Sequence, residues 1–318
     1  MGTSSKPPVF CLMGPTAAGK TDLALQLADR GNFELVSVDS AQVYRGMDIG
    51  TGKPDAATLA RFPHHLIDIR DPADPYSVAE FRHDALQIME AIHKKGSLPL
   101  LVGGTMLYFR ALRDGLADMP RADPEIRRTI AARARAEGWP AVHDWLQSLD
   151  PETARRIHPN DPQRLQRALE VNLVSGRTLT EIQDGGENAQ GNDKNLPFSL
   201  HFFAIQPSSR PVLHARIAAR FQQMIADGLI EEVGELYDRG DLHDSLPSMK
   251  SVGYRQIWQY LEGSLDYDEM IERGIIATRQ LAKRQLTWLR SWKNLICLDG
   301  PESKNVETVL KFADSIAR

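Results

Sequence analysis

Cysteine is scarce. The 318 residues contain two, Cys11 and Cys297, near opposite ends of the chain and without a metal-ligand pattern around either. That excludes a zinc finger and a disulfide framework, and it points to a reduced compartment. Long apolar runs are missing too. No stretch approaches about 18 consecutive apolar residues, so no membrane-spanning helix is expected. The opening MGTSSKPPVFCLMG has one lysine and too short an apolar run for a signal peptide, so the expected location is cytoplasmic. No strong charge excess exists either: 38 basic against 42 acidic residues leave a net charge of −4. A grip on nucleic acid would therefore need clustered basic residues rather than a global excess. No internal repeat is evident. What remains, 42% hydrophobic and 25% charged, is ordinary globular composition for one large domain or two modest ones.

Against that background one stretch stands out, GPTAAGKT, comprising Gly14, Pro15, Thr16, Ala17, Ala18, Gly19, Lys20 and Thr21. Its pattern G-x-x-x-x-G-K-[ST] is that of a phosphate-binding loop. The apolar PVFCLM before it reads as a strand, and KTDLALQLADR after it as a helix ending at Gly31. In that context backbone N–H groups turn inward around phosphate oxygens, and the helix aims its positive end at them. Lys20 adds a point charge and Thr21 a hydroxyl for Mg²⁺.

FELVSVD and LPLLVGGT read as two further strands, separated by a helix that opens with the capping box Ser77-x-x-Glu80 and stops at Gly96. Strands alternating with helices imply a parallel sheet. From Arg121 to about Gln183 only helical signals occur, with Asp123-Pro124, Asp150-Pro151 and Asp161-Pro162 each pairing an N-cap with a first-turn proline. A polar loop, Asp184 to Asn195, follows. FSLHFFAIQ returns to strand character, helices run from Pro211 to about Lys293, and NLICLD reads as a last strand. The predicted architecture is an α/β P-loop core over 1–116 and 197–318, a parallel sheet flanked by helices, interrupted by an all-helical insertion domain over 117–196.

A nucleotide hydrolase also needs an acidic residue ending a second apolar strand, to hold the metal. LPLLVGGT ends in Gly103-Gly104-Thr105 and offers none; FELVSVD ends in Asp39. After Asp39 comes SAQVYRGMDIGTGKP, a long segment of little core character. Loops at strand ends beside a phosphate loop are where open α/β sheets bind substrates. Asp39 thus reads as a metal holder or a general base, against the alternative of capping its own turn. His64 and His65, adjacent on an extended run, point opposite ways and read as structural.

GPTAAGKT, VSVDSAQVYRGMDIGTGKP, HHLIDI, LVGGTMLYFRAL, DPQRLQRALEV and SVGYRQIWQYL, in this order, resemble the bacterial tRNA dimethylallyltransferases (tRNA isopentenyltransferases) over nearly the whole chain. The resemblance implies a P-loop NTPase-like core. It also implies transfer of a dimethylallyl group from dimethylallyl diphosphate to the N6 amine of the adenosine 3′-adjacent to the anticodon of tRNA. In such an enzyme the phosphate loop cradles the diphosphate leaving group, Lys20 and a Thr21-associated Mg²⁺ stabilise its charge, and Arg220 contacts it. Asp39 corresponds to the family's general base, a catalytic residue together with Thr21, Lys20 and Arg220. Asp39, Ser40, Ala41 and Gln42 fall in the stretch that receives a flipped-out adenine, and Thr105 at a tRNA contact.

Further tRNA contacts implied are Arg127, the run Gln163, Arg164, Leu165, Gln166 and Arg167, and Lys250 and Arg255 of KSVGYRQ. Tyr254 in that motif could stack on a base or pack. On the later helix no Asp or Glu occurs from Ile275 to Lys293, and Arg279, Lys283 and Arg290 share a face by 3.6-residue periodicity. They read as a stripe for the RNA backbone, with Ala282, Leu286 and Leu289 as core. The partners implied are the tRNA anticodon stem-loop and dimethylallyl diphosphate, for a monomer away from membranes. The alternative is a P-loop small-molecule or nucleoside kinase, which shares the loop and a strand-end base but leaves the insertion unexplained.

Overall fold

Strand and helix signals in the first hundred residues alternate as the periodicity requires, and the computed structural model shows why. Described are residues 6–117, 119–184, 196–207, 209–300 and 302–316. The chain divides into two compact units, Met1–Leu112 with Asn195–Arg318, and Arg113–Lys194. In the first unit, β1 (Pro8–Met13) leads to α1 (Lys20–Arg30) and β2 (Phe33–Val38). Then come α2 (Ala56–Arg61), β3 (His64–His65), α3 (Val78–Lys94), β4 (Leu98–Gly103) and α4 (Met106–Asp114). The capping box holds: Ser77 Oγ accepts from Glu80 N at 3.2 Å, and Glu80 Oε2 accepts from Ser77 N at 2.9 Å.

The second unit is helical: α5 (Pro124–Glu137), α6 (Trp139–Leu149), α7 (Pro151–Arg156), α8 (Pro162–Ser175) and α9 (Leu179–Asp184). Asp123, Asp150 and Asp161 each cap the helix that starts with the following proline. Its core gathers Ile130, Val142, Leu146, Leu165 and Leu169, all fully buried. The polar loop expected over Asp184 to Asn195 lies, apart from Asp184, outside the described residues.

The chain re-enters the first unit as β5 (Ser199–Ile205), followed by α10 (Arg210–Ala226), α11 (Leu229–Asp238), α12 (Tyr254–Leu261), α13 (Tyr267–Arg290), β6 (Leu295–Leu298) and α14 (Glu302–Ile316). The six strands form one sheet in the order β3-β2-β4-β1-β5-β6, parallel at every pairing. Period-two alternation splits β1 between two cores. Val9, Cys11 and Met13 face a cluster shared with α3, α4 and α11–α13, while Phe10 and Leu12 face α1 and α14. A strand buried on both faces reads as a continuous apolar run, which is why PVFCLM, FELVSV and LPLLVG were recognisable. The six-residue α2 and the two-residue β3 are too short for a period to emerge, whereas α4 and the fifteen-residue α14 are long enough and lie outside the helices expected from the sequence.

One expectation fails. The segment after Asp39 has real core character: Val43, Tyr44 and Met47 are at most 2% exposed and belong to the larger core. The segment turns back so that Arg45 N donates to Arg70 O and Arg70 N to Val43 O, both at 2.9 Å. Three apolar residues at irregular spacing inside a polar string leave no periodic signature, so only the turns bring them inward. Met47→Ala should therefore cost about 2–4 kcal/mol in urea unfolding, the range for deleting a buried Met side chain. Arg45→Ala, at the exposed position two residues earlier, should stay within about 0.5 kcal/mol. The reverse ranking would show the segment to be peripheral.

Candidate active site

Because all six strands are parallel, their carboxyl ends share one edge of the sheet, and a cavity of about 1310 Å³ opens there. Each chain segment leaving a central strand contributes: Thr16 to Asp22 after β1, Asp39 to Gln42 after β2, Gly104 to Met106 after β4, and Gln206 after β5. The strand order reverses around β1, which is where open parallel sheets form their ligand crevice. The volume exceeds the ~300–1,000 Å³ of ordinary small-molecule sites, and leaves room for more than one reactant.

The loop after β1 lines the cavity from Thr16 to Thr21. Ala17 and Gly19 adopt positive φ, 60° and 88°, which curls the chain around a central space. Gly19 is the N-cap of α1 and supplies no side-chain cap, so the first-turn N–H groups face the cavity uncapped by a side chain. Lys20 bends back and donates from Nζ to Pro15 O at 2.8 Å. Burial pulls the Lys20 pKa down from 10.5 to about 8; the Asp39 carboxylate opposes this and the Arg220 cation adds to it. Gly14, Pro15 and Ala18 are buried, whereas Gly19 and Thr21 are exposed. Thr16 N is already committed to Gln285 Oε1 at 2.9 Å, and Gln285 Nε2 donates to Gly104 O at 3.0 Å. One buried amide thus ties the loop to the end of β4.

Asp39 follows directly on β2. Its Oδ1 accepts from Ala41 N at 2.9 Å, the turn-capping role weighed above, and this fixes the side chain. The cap does not exhaust the carboxylate: its charge acts on both Lys20 and Arg220. Ser40 N donates to Thr105 Oγ1 at 3.0 Å, which joins the ends of β2 and β4. Gln42 is held by Ser37 Oγ, which donates to its Oε1 at 2.8 Å, and its Nε2 reaches Thr51 O and Gly52 O at 3.4 Å. The missing acid after β4 has a steric cause. A Cβ at Gly103 would stand 2.0 Å from Val38 O, so no side chain fits there.

Arg220, on α10, projects into the same space. Solvent reaches it through the open cavity, yet protein surrounds it enough that burial draws its pKa down, with Asp39 and then Asp22 pulling the other way. Lys250 also lines the cavity. Tyr254, left undecided by sequence, is wholly buried and donates to Glu232 at 2.5 Å, so it packs rather than stacks. Arg255 is exposed and outside the cavity lining.

The remaining expected contacts fall in different surroundings. Leu165 cannot present its side chain to a ligand, because it is fully buried in the helical unit's core. Arg127 and Arg167 are engaged by Glu170, which is fully buried: Arg127 Nε and Arg167 Nη1 each donate at 2.7 Å. Arg164 is exposed and pairs with Asp161; Gln163 is exposed and Gln166 half-buried. The cavity face of α13 consists of Thr278, Leu281, Arg284, Gln285 and Trp288. At 100° per residue, Arg279, Lys283 and Arg290 lie on the opposite side. Arg279 is half-buried, with an Nε that lacks a hydrogen-bond partner among the described residues. Ala282 and Leu289 are core as expected, and Leu286 packs beside them.

The sequence reading missed Arg284, Gln285, Trp288, Arg216 and Phe221 as cavity residues, and also His64. His64 Nδ1 bonds Phe62 O at 2.7 Å, and His65 pairs with Glu34, so the two rings do part. The acid-free stretch of α13 was a usable signal, but periodicity defines faces without saying which one meets the sheet edge.

The depressed Lys20 pKa makes a checkable prediction. Inorganic diphosphate should restore the ammonium form, so above pH 8 binding should take up a larger fraction of a proton in the wild type than in Lys20→Arg. Affinity of the wild type should fall as pH rises through about 8. Calorimetry in buffers of different ionisation enthalpy reads the difference; equal proton uptake would contradict it.

This geometry has close counterparts. The family described as IPP transferase matches residues 42–292, a span that begins just past the phosphate loop and Asp39. A full-length tRNA isopentenylpyrophosphate transferase from Bacillus halodurans is 38% identical, with 98% of this chain and 96% of that chain covered and a TM-score of 0.70. A tRNA delta(2)-isopentenylpyrophosphate transferase from Staphylococcus epidermidis is 30% identical, covering 98% and 99%, with a TM-score of 0.69. A eukaryotic dimethylallyltransferase acting on tRNA is 27% identical, covering 92% of this chain and 74% of its own, with a TM-score of 0.72. The chain belongs to the IPP transferase family.

Proposed function

We propose that this chain transfers a dimethylallyl group from dimethylallyl diphosphate to the N6 amine of the adenosine 3′-adjacent to the anticodon of tRNA. One observation carries the reading: a carboxylate, Asp39, shares one cavity with the cations Lys20 and Arg220 of a phosphate site. The amine lone pair attacks the allylic carbon, the carbon–oxygen bond breaks, and its electron pair leaves on the diphosphate. Lys20, Arg220 and the uncapped N–H groups of α1 receive that charge. Asp39 accepts the N6 proton as the carbon–nitrogen bond forms, which neutralises the developing ammonium and assists a weakly nucleophilic aromatic amine. Ser40, Ala41, Gln42 and Thr105 frame the place where a flipped adenine enters. A kinase would use the same loop, but the tRNA-modifying relatives span nearly the whole of this chain.

Thr21, exposed at the start of α1, fits a Mg²⁺ held chiefly by diphosphate oxygens and water, as this ion prefers. No cluster of three or more acidic, His or Cys side chains among the described residues makes a separate metal cage. When bound, Mg²⁺ neutralises charge on the leaving group. Lys250, Arg255, Arg279 and Lys283 are proposed contacts to the RNA backbone in one unit, and Arg127, Gln163, Arg164, Gln166 and Arg167 in the other. The protein is proposed to act as a monomer on the anticodon stem-loop. No helix among the described residues is long and apolar enough to cross a membrane.

Nucleosides digested from tRNA that has been treated with the protein and dimethylallyl diphosphate should show a mass increase of one dimethylallyl group on adenosine. Asp39→Asn should bind tRNA normally and lose transfer by about 10²-fold or more. Phosphate transfer from ATP without prenylation would overturn the proposal.

A further inference from the structure

Three consecutive backbone N–H groups in the segment after Asp39 point at one carboxylate outside the cavity lining, that of Glu232 on α11. Oε2 accepts from Asp48 N at 2.9 Å and Ile49 N at 2.7 Å, and Oε1 from Gly50 N at 3.2 Å. Oε1 also accepts from the Tyr254 hydroxyl at 2.5 Å. Burial, reinforced by the Glu232 charge, pushes the Tyr254 pKa far up, so the phenol remains a donor. Every partner is therefore a donor, and both Glu232 oxygens act as acceptors.

The segment so held runs straight into the cavity. Thr51 Oγ1 donates to Met47 O at 2.6 Å, and Gly50, Thr51 and Gly52 line the cavity wall. A Cβ at Gly52 would stand 1.8 Å from Arg220 Nη2 and 3.0 Å from its Cζ, so the Nη2 end of the guanidinium presses against this glycine. Gly52 thus backs Arg220, and the carbonyls of Thr51 and Gly52 hold the Gln42 amide. Arg220 makes no direct ion pair among the described residues; Asp39 and Asp22 attract it from a distance, and Gly52 bounds it by shape.

We infer that Glu232 is a positioning residue. It acts through residues 48–52 to aim the Arg220 guanidinium at the leaving diphosphate, without touching either substrate. The inference rests on the reading of Arg220 as a diphosphate contact. A carboxylate that merely glued α11 to the segment would affect stability but would not couple to Arg220.

The test is a double-mutant cycle on prenyl transfer, with Glu232→Gln, Arg220→Ala and the double variant, all assayed where circular dichroism shows them folded. Glu232→Gln should lower kcat about tenfold and weaken inhibition by inorganic diphosphate by a similar factor. tRNA binding without donor should stay within about twofold of wild type. Arg220→Ala should then cost much less in the Glu232→Gln background than in the wild type, because misaligned Arg220 has less to lose. Should Glu232→Gln not fold, Glu232→Asp keeps the charge but draws it back by one methylene, and the same coupling is expected. Additive losses would overturn the inference, as would unchanged diphosphate inhibition or an Arg220→Ala variant of normal activity. A wild type that makes no prenylated tRNA would instead overturn the proposed function.

Discussion

The gathering of Asp39, Lys20 and Arg220 around one cavity is the constraint on which the proposed chemistry depends. A leaving group that carries several negative charges needs cations, and a weak nucleophile needs a carboxylate nearby. Placed in free contact, those groups would neutralise one another. Here they come from different elements: the phosphate loop after β1, the end of β2, and the middle of α10. Because β4 lies between β1 and β2, the carboxylate and the lysine stand a strand apart. Lys20 meanwhile rests on its own loop through Pro15 O, and Asp39 on its own turn through Ala41 N. Each group is thus held on its own segment, apart from the other.

Much of the surrounding structure serves that arrangement. Gln285 joins the phosphate loop to the end of β4, and Ser40 with Thr105 joins β4 to β2, so three strand ends are tied together. Lys53, almost entirely buried, donates to Tyr44 O at 2.6 Å and pairs with Asp48 and Asp68, closing the far side of the segment that backs Arg220. In the helical unit a comparable device recurs: burial would raise the Glu170 pKa, but donors from Arg127, Arg167 and Asp123 N more than offset that, and the carboxylate stays ionised. Two arginines around one buried glutamate leave a local positive excess.

How much of this was legible in the sequence differs by level. The strands β1, β2 and β4 announced themselves because both faces are buried, and the Asp-Pro caps because capping is local chemistry. The G-x-x-x-x-G-K-T motif and the strand-end Asp39 stand out for the same reason: spacing and strand context are local features of the sequence. What escaped was set by tertiary contact. Gln285 looks like any polar residue of α13 until the loop arrives at its amide, and Glu232 like any surface glutamate of α11 until three N–H groups converge on it. Val43, Tyr44 and Met47 were hidden in a polar string because turns, not a period, bury them. Assignments taken from a matched motif carried over whole runs, and so included Leu165, which the core claims.

The account stands or falls on where the two reactants lie relative to these charges. A crystal structure with an unreactive thiolo analogue of dimethylallyl diphosphate and an anticodon stem-loop RNA would show this directly. The account predicts the diphosphate in the loop from Gly14 to Thr21 against Lys20 and Arg220. It also places the extruded adenine amine within about 2.6–3.2 Å of the Asp39 carboxylate. A diphosphate bound outside that loop, or an amine facing any group other than Asp39, would contradict it.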